Sequence, residues 1–414
     1  MDRAARLDAN RRSFSFGPGA KVVFLVESAL TERDFRRFGI GDILARGCDV
    51  TILDVAALVY PDVVQDRATA RKHEHLGHRA VSTPAAWASE LDTLRRADIV
   101  FCTVGSGFVS AGNLSVLRLL GRSGAPVLMI SCNAQPHWGI PWHSPGLRGW
   151  IERLRRLRPA DSIVSRLPRD WLGVPGCDFI VYGGRRSRTP NVFVGPETVA
   201  IDAHAMDYDV LREAHTRAQP KPRTAVFIDE YLPYHRDWAT QRVEPPMPAG
   251  SYRTLINGLF DRIETELDMR VVIAACPRGD YSDKPDFYGK REMIFGDTAR
   301  AVAESDLAIA HGSTAINYAV MCNKPVMLAL SKDIYRHLSS NRALYDALAR
   351  ELGTPLRWFD DPRTADLSNA LAVDRAAYAR FMADYVKLPA TPDRPLWDII
   401  AEAIERHGLP ERRV

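Results

Sequence analysis

What most constrains this chain is an alternation kept up over most of its length, in which short runs of Val, Ile, Leu and Phe give way to helical-looking stretches. The first half offers KVVFLVE at Lys21 to Glu27, Asp49 to Leu58, DIVFCTV at Asp98 to Val104, PVLMISC at Pro126 to Cys132, Asp178 to Tyr182 and Thr198 to Asp202. A strand with one wet face alternates apolar and polar residues, whereas near-continuous apolar runs belong to parallel strands covered on both faces by helices. The second half repeats the pattern at Thr224 to Ile228, Arg270 to Ala275, Leu307 to Ala310, Pro325 to Leu330 and Leu356 to Phe359, with helical segments at Ser251 to Leu267 and Thr298 to Glu304.

With 414 residues the chain exceeds what one hydrophobic core usually organises. The proline-punctuated stretch Gln219-Pro220-Lys221-Pro222-Arg223 precedes the first strand of the second half and marks a boundary. The expectation is an α/β protein of two Rossmann-like domains facing across a cleft: residues 1–218, residues 219–390, and a terminal segment, 391–414. In Pro395 to His407, Leu396, Ile399, Ile400 and Ile404 recur at helical spacing, and such a helix can pack back on the first domain.

Charge excludes one class of partner. Fifty-five basic against 51 acidic side chains leave a formal +4, too slight to neutralise many nucleic-acid phosphates. The six cysteines lie far apart without a CxxC pair, several inside apolar runs, and read as reduced core residues. Met1 to Ser15 is polar and arginine-rich, unlike a secretory signal, and no stretch approaches about 20 apolar residues. The expected location is the cytoplasm. Gly149 to Arg158 (GWIERLRRLR) reads as an amphipathic basic helix that could touch the inner membrane or a lipid-linked acceptor.

The sharpest local signal is DLAIAHGSTAINYAVMCNKPVMLAL, from Asp306 to Leu330: a strand, a His311-Gly312-Ser313-Thr314 turn, a helix, a Lys-Pro turn and a second strand. Gly312 lets the backbone turn sharply, and Ser313 and Thr314 put hydroxyls where free N–H groups attract an anion. His311, at the carboxyl end of a buried strand, could offer a donor or a cation to a phosphate. A helix cap and a structural histidine are the plainer readings of the same residues.

This segment resembles the nucleotide-binding half of GT-B glycosyltransferases, and more narrowly cytoplasmic surface-polysaccharide biosynthesis proteins with an H-x-S-T turn and a K-P strand. Phe227 to His235 (FIDEYLPYH) and Asp207-Tyr208-Asp209 are also similar, so about a third of the chain carries the likeness. The resemblance implies a donor nucleotide held against the second domain near His311 to Thr314, and a saccharide or lipid-linked saccharide acceptor held by the first. No cofactor is then obligatory. Helix N-termini and side chains would stabilise the leaving phosphate without a metal. Asp207-Tyr208-Asp209 is formally an Asp-x-Asp, but it leads into a helix-prone run and reads as a helix cap.

Further candidates stand at the carboxyl ends of strands, where open parallel sheets bind ligands. Asp229 and Glu230 are base or ribose-binding candidates, and Tyr234 and His235 could line nucleotide or sugar. Arg278 is a phosphate or sugar-carboxylate partner by virtue of its bidentate guanidinium. In the first domain Glu27 is a base candidate beside Gly105-Ser106-Gly107, and Gly105, Ser106 and Asn133 are placed on the acceptor side. CMP-linked acidic sugars fit if His311, Arg278 and Arg291 meet a carboxylate, while UDP- and GDP-sugars stay open. A nucleotide-sugar epimerase, a pyruvyl-type transferase and a non-catalytic protein closing on an anionic ligand are the other readings of this pattern.

Overall fold

The computed structural model describes residues 11–28, 30, 32–61, 77–105, 107–136, 163–235, 238 and 243–411. Seven parallel strands form the first sheet: β1 (Lys21–Val26), β2 (Asp49–Asp54), β3 (Arg79–Ala80), β4 (Ile99–Cys102), β5 (Val127–Ser131), β6 (Phe179–Tyr182) and β7 (Val199–Asp202). Their spatial order is β3-β2-β1-β4-β5-β6-β7. Six more make the second: β8 (Thr224–Ile228), β9 (Arg270–Ala274), β10 (Met293–Ile294), β11 (Leu307–Ala310), β12 (Val326–Leu330) and β13 (Leu356–Trp358), in the order β10-β9-β8-β11-β12-β13. Each sheet runs outward from its first strand and then reverses between the first and fourth, which is the doubly wound Rossmann order. The fold is therefore two Rossmann-like domains, and the central strands are buried on both faces, as their unbroken apolar runs require.

The chain passes between the domains twice, and the two passages touch. After β7 it enters the helix Met206–Arg217, with the Ala205 amide donating to the Val386 carbonyl at 2.7 Å on the returning passage. Gly184 lies beneath that return, where a β-carbon would stand 2.3 Å from the Asp384 carbonyl carbon, so only glycine lets the two segments approach this closely.

Five helices position the site: α1 (Glu32–Arg37), α2 (Met206–Arg217), α3 (Thr298–Glu304), α4 (Ile316–Met321) and α5 (Leu396–His407). Although α2 precedes the proline-rich linker, its Leu211 and Ala214 share a core with Val302 of α3 and Ala319 of α4, so by packing it belongs to the second domain. Conversely α5 lies on the first sheet. Its Trp397 ring is 6.0 Å from Phe24 and 5.9 Å from Phe101, and Leu396, Ile399, Ile400 and Ile404 complete the stripe that 3.6-residue periodicity predicts. Burying such side chains contributes roughly 1.5–3 kcal/mol each. Gly39, at φ +59°, gives the indole its seat, because a β-carbon there would fall 1.7 Å from the ring. No helix among the described residues is long and apolar enough to cross a membrane.

Candidate functional site

A cavity of about 280 Å³ opens between the carboxyl-end loops of the two sheets. The first domain contributes Arg36 and Arg37 of α1 and Gln135 from the loop after β5. The second contributes Asp229, Glu230 and His235 after β8, Cys276 and Pro277 after β9, Gly296 to Ala299 at the start of α3, and Gly312 to Ala315 after β11. This is the switch point of the second sheet, where a ligand is expected on topological grounds. Asp207, Val210 and Tyr318 close the side formed by α2 and α4.

The two walls are bound together by polar contacts that local sequence did not announce. Arg37 pairs with Asp207 at 2.6 Å, and Asp207, 1% exposed, also accepts from Tyr318 Oη at 3.1 Å and Asn317 Nδ2 at 3.4 Å. Burial opposes the Arg37 charge, but Asp207 together with Tyr318 and Asp34 outweighs it and holds the guanidinium above its ordinary pKa. Gln135 Nε2 donates to the Gly312 carbonyl at 3.4 Å across the cleft. Arg37 and Gln135 carry no motif, and only the pairing of the domains gives them a place in the wall. The Asp-x-Asp likewise serves architecture: Asp209 accepts from the Leu396 amide at 2.6 Å, tying α2 to the start of α5. Among the described residues no group of three or more His, Cys, Asp or Glu side chains is arranged to hold a metal ion.

His311 is corrected from a phosphate contact to a core residue. Its side chain is fully buried, does not line the cavity, and sits in edge contact with Phe227 and Tyr252. Nδ1 faces the Ala329 carbonyl, which can only accept, so this nitrogen carries the proton and Nε2 accepts from Tyr252 Oη at 2.8 Å. Burial pushes the imidazole pKa down. The strand that should aim His311 at a ligand instead turns its side chain inward, and the next three residues, Gly312 to Thr314, supply the cleft. There Ser313 Oγ accepts from the Ala315 amide at 3.2 Å and α4 begins at Ile316, later than the turn alone suggested.

The acidic pair divides its work. Asp229 is 4% exposed and accepts from the Tyr281 hydroxyl and from the Tyr231 amide at 2.7 Å. Burial raises its pKa, and those hydrogen bonds, with the Tyr288 hydroxyl, oppose the rise. These contacts brace the loop after β8, and Asp229 still lines the cavity. Glu230 is half-buried and faces the cleft, where Oε1 accepts from the Gly312 amide at 2.7 Å beside the amides of His311 and Ser313. Burial raises its pKa as well, against those amides and the nearby His235.

The remaining nominations scatter. Arg278 does not line the cavity, because it crosses to Asp34 at 3.4 Å and Ser28 at 3.5 Å in the first domain. Arg291 is spent on Glu264, Asp261 and Asn257. Tyr234 is 41% exposed under the Lys284 ammonium, 4.7 Å from its ring, and stands outside the cavity, whereas His235 lines it. Asn133 accepts from the Met206 amide at 2.9 Å and so starts α2, a positioning contact in place of an acceptor contact. Glu27 and Gly105 do meet, with Oε2 accepting from the Gly105 amide at 3.1 Å, but neither lines the cavity. Ser106 and Gly149 to Arg158 lie outside the described residues.

No protein-family model and no curated protein sequence matches the chain. Among solved structures it is similar to the calicheamicin glycosyltransferase CalG4, at 12% identity and a TM-score of 0.48, covering 94% of this chain and 98% of that one. It is also similar to the glycosyltransferase SnogD from Streptomyces nogalater, at 14% identity and a TM-score of 0.46 over 94% and 99% of the two chains. A third likeness is to UDP-GlcNAc 2-epimerase from Methanocaldococcus jannaschii, at 8% identity and a TM-score of 0.40 over 87% and 98%. Similarity at this level assigns neither a substrate nor a reaction.

Proposed function

We propose that this protein is a glycosyltransferase moving a sugar from a nucleotide-sugar donor to a hydroxyl of a saccharide acceptor, in the assembly of a surface polysaccharide. The observation that carries the reading is the cavity at the second sheet's switch point, lined by Gly312 to Ala315 and Gly296 to Ala299 and, from the other domain, by Arg36. Backbone N–H groups and a guanidinium are what a diphosphate leaving group needs as its charge develops, because interactions that strengthen in the transition state are the ones that accelerate the step. Ser313 and Thr314 add hydroxyls on the same wall.

Charge narrows the donor. Asp229, Glu230 and Asp297 put carboxylates on the cavity lining, and the arginines suited to a sugar carboxylate, Arg278 and Arg291, are engaged elsewhere. A neutral sugar fits this lining better than a CMP-linked acidic one, since a further carboxylate would meet like charge without either arginine to receive it.

A thermal-shift screen against CMP, CDP, UDP, GDP and ADP, followed by assay of nucleotide release from the matching nucleotide sugar, tests this. The expected result is stabilisation by one nucleotide and release that depends on an added saccharide acceptor. Release without acceptor and with an isomerised sugar would make the protein an epimerase, and saturable binding without release would make it a binding protein. We further propose peripheral membrane contact through Gly149 to Arg158. Replacing Arg156 and Arg158 together by Glu should weaken association with anionic vesicles and spare activity on a short soluble acceptor, and unchanged association would remove that segment from the account.

A further inference from the structure

The turn at residues 311–313 brings the Gly312 amide to the cavity edge, a donor of the kind that binds anions. That amide is satisfied from within the protein. Glu230, two residues past the end of β8, reaches across the switch point, and its carboxylate accepts from the Gly312 amide at 2.7 Å, with the neighbouring His311 and Ser313 amides favouring its charged form. The carboxylate is not sealed off, because it lines the cavity together with Gly312 and Ser313 themselves. Among the described residues no Lys or Arg forms an ion pair with it; the groups that face it are His235 and the hydroxyls of Tyr252 and Tyr345. A ligand phosphate entering this wall meets an amide already bonded to a negative charge, and two anions cannot share one N–H donor.

We propose that Glu230 is a built-in surrogate for the ligand's anionic group, whose carboxylate competes with a phosphate for the Gly312 amide and is displaced when that phosphate binds. The inference rests on the nucleotide-sugar reading for the identity of the ligand, while the competition applies to any phosphate. It makes the cleft selective, since a neutral glycan cannot displace a carboxylate from that amide and a densely charged diphosphate can. It also keeps the Gly312 donor bonded whenever no phosphate is there, so its desolvation does not destabilise the fold.

The test compares the parent with Glu230→Ala, Glu230→Gln and Glu27→Ala, using inorganic pyrophosphate and the nucleoside diphosphate that stabilises the parent as probes, with affinity from calorimetry and melting temperature as readouts. Glu230→Ala should bind pyrophosphate at least tenfold tighter than the parent and show a larger thermal shift with it. Glu230→Gln should fall between, because an amide oxygen still accepts but carries no charge, and it supplies the answer if the alanine variant does not fold. Glu27→Ala, away from the cavity, should show no gain. Equal or weaker pyrophosphate affinity in both Glu230 variants overturns the proposal. If pyrophosphate binding tightens but no nucleotide binds any of the proteins, displacement stands and the nucleotide reading falls. If nucleotide binds the parent and both variants alike, displacement falls and the nucleotide reading stands.

Discussion

Both domains build the same contact at their switch points. In the first, Glu27 just past β1 accepts from the amide of Gly105 past β4 at 3.1 Å; in the second, Glu230 past β8 accepts from the amide of Gly312 past β11 at 2.7 Å. In each case a glutamate from the sheet's first strand satisfies a glycine amide beyond its fourth. The difference lies in what each pair faces. The second pair lines the interdomain cavity opposite Arg36, and the first does not line it. Identical local chemistry thus stays structural in one domain and becomes a candidate for binding in the other, and the docking of the two domains makes the distinction.

Three substitutions sharpen this comparison. The largest effect on folding should come from His311→Ala, which leaves the Tyr252 hydroxyl and the Ala329 carbonyl unpartnered in the core, at a cost of about 3 kcal/mol by chemical denaturation. If His311 is the core residue described above, activity per folded molecule should change little. A turnover loss far beyond the folding loss would return His311 to the chemistry.

The same histidine sets a pH dependence. Its folded pKa lies below the unfolded value of about 6.5, so the unfolded chain takes up the proton first. The stability it contributes is present above that value and is lost as pH falls toward the folded pKa, with a slope of up to about 1.4 kcal/mol per unit. Asp229 and Glu230 act in the opposite sense. Their folded pKa values are raised, so protonating them between those values and the ordinary carboxylate range relieves a burial cost. Denaturation curves for parent and His311→Ala at pH 7.5 and 5.5 check this, since the variant should lose the slope just below 6.5.

The next effect compares the two glycines. Gly105 has φ +89°, and a β-carbon there would stand 2.7 Å from the Phe108 carbonyl oxygen, so Gly105→Ala should cost about 2 kcal/mol. Gly312 has an ordinary φ, and its added β-carbon would meet the Tyr345 ring at 2.8 Å, which can give way at about 1 kcal/mol. A larger loss at Gly312 than at Gly105 would break the ranking of the two turns. In function the order should invert, with Gly312→Ala the variant that weakens nucleotide binding.

The strands were legible because both-face burial writes itself as an apolar run: Lys21–Val26, Ile99–Cys102, Phe179–Tyr182 and Leu307–Ala310 all fall inside runs read from sequence. Arg79–Ala80 and Met293–Ile294 were not, since two-residue edge strands have no periodicity. At the site, sequence placed Glu230, His235 and Gly312 to Thr314 at the right sheet edge. It could not say that His311 turns inward, because the residues at a strand's end point alternately to opposite sides and a single histidine reveals neither. Nor could it show that Arg278 and Arg291 already have partners, Asp34 and Glu264, which lie 244 and 27 residues away. Burial is periodic and local, whereas the pairing of charges across the fold is neither.

The central claim is that the Gly312 to Ala315 wall holds donor phosphates, and calorimetric titration of the stabilising nucleotide into the parent and Ser313→Ala tests it most directly. The Ser313 hydroxyl bonded to a phosphate would be worth about 1.5–3 kcal/mol, so the variant should lose roughly ten- to hundredfold in affinity. Its folding should suffer by no more than the ~1 kcal/mol of a lost cap, and added EDTA should leave the parent's affinity unchanged. Nucleotide binding by Ser313→Ala equal to the parent's, with a lowered melting temperature, would reduce the turn to a helix cap and contradict the account.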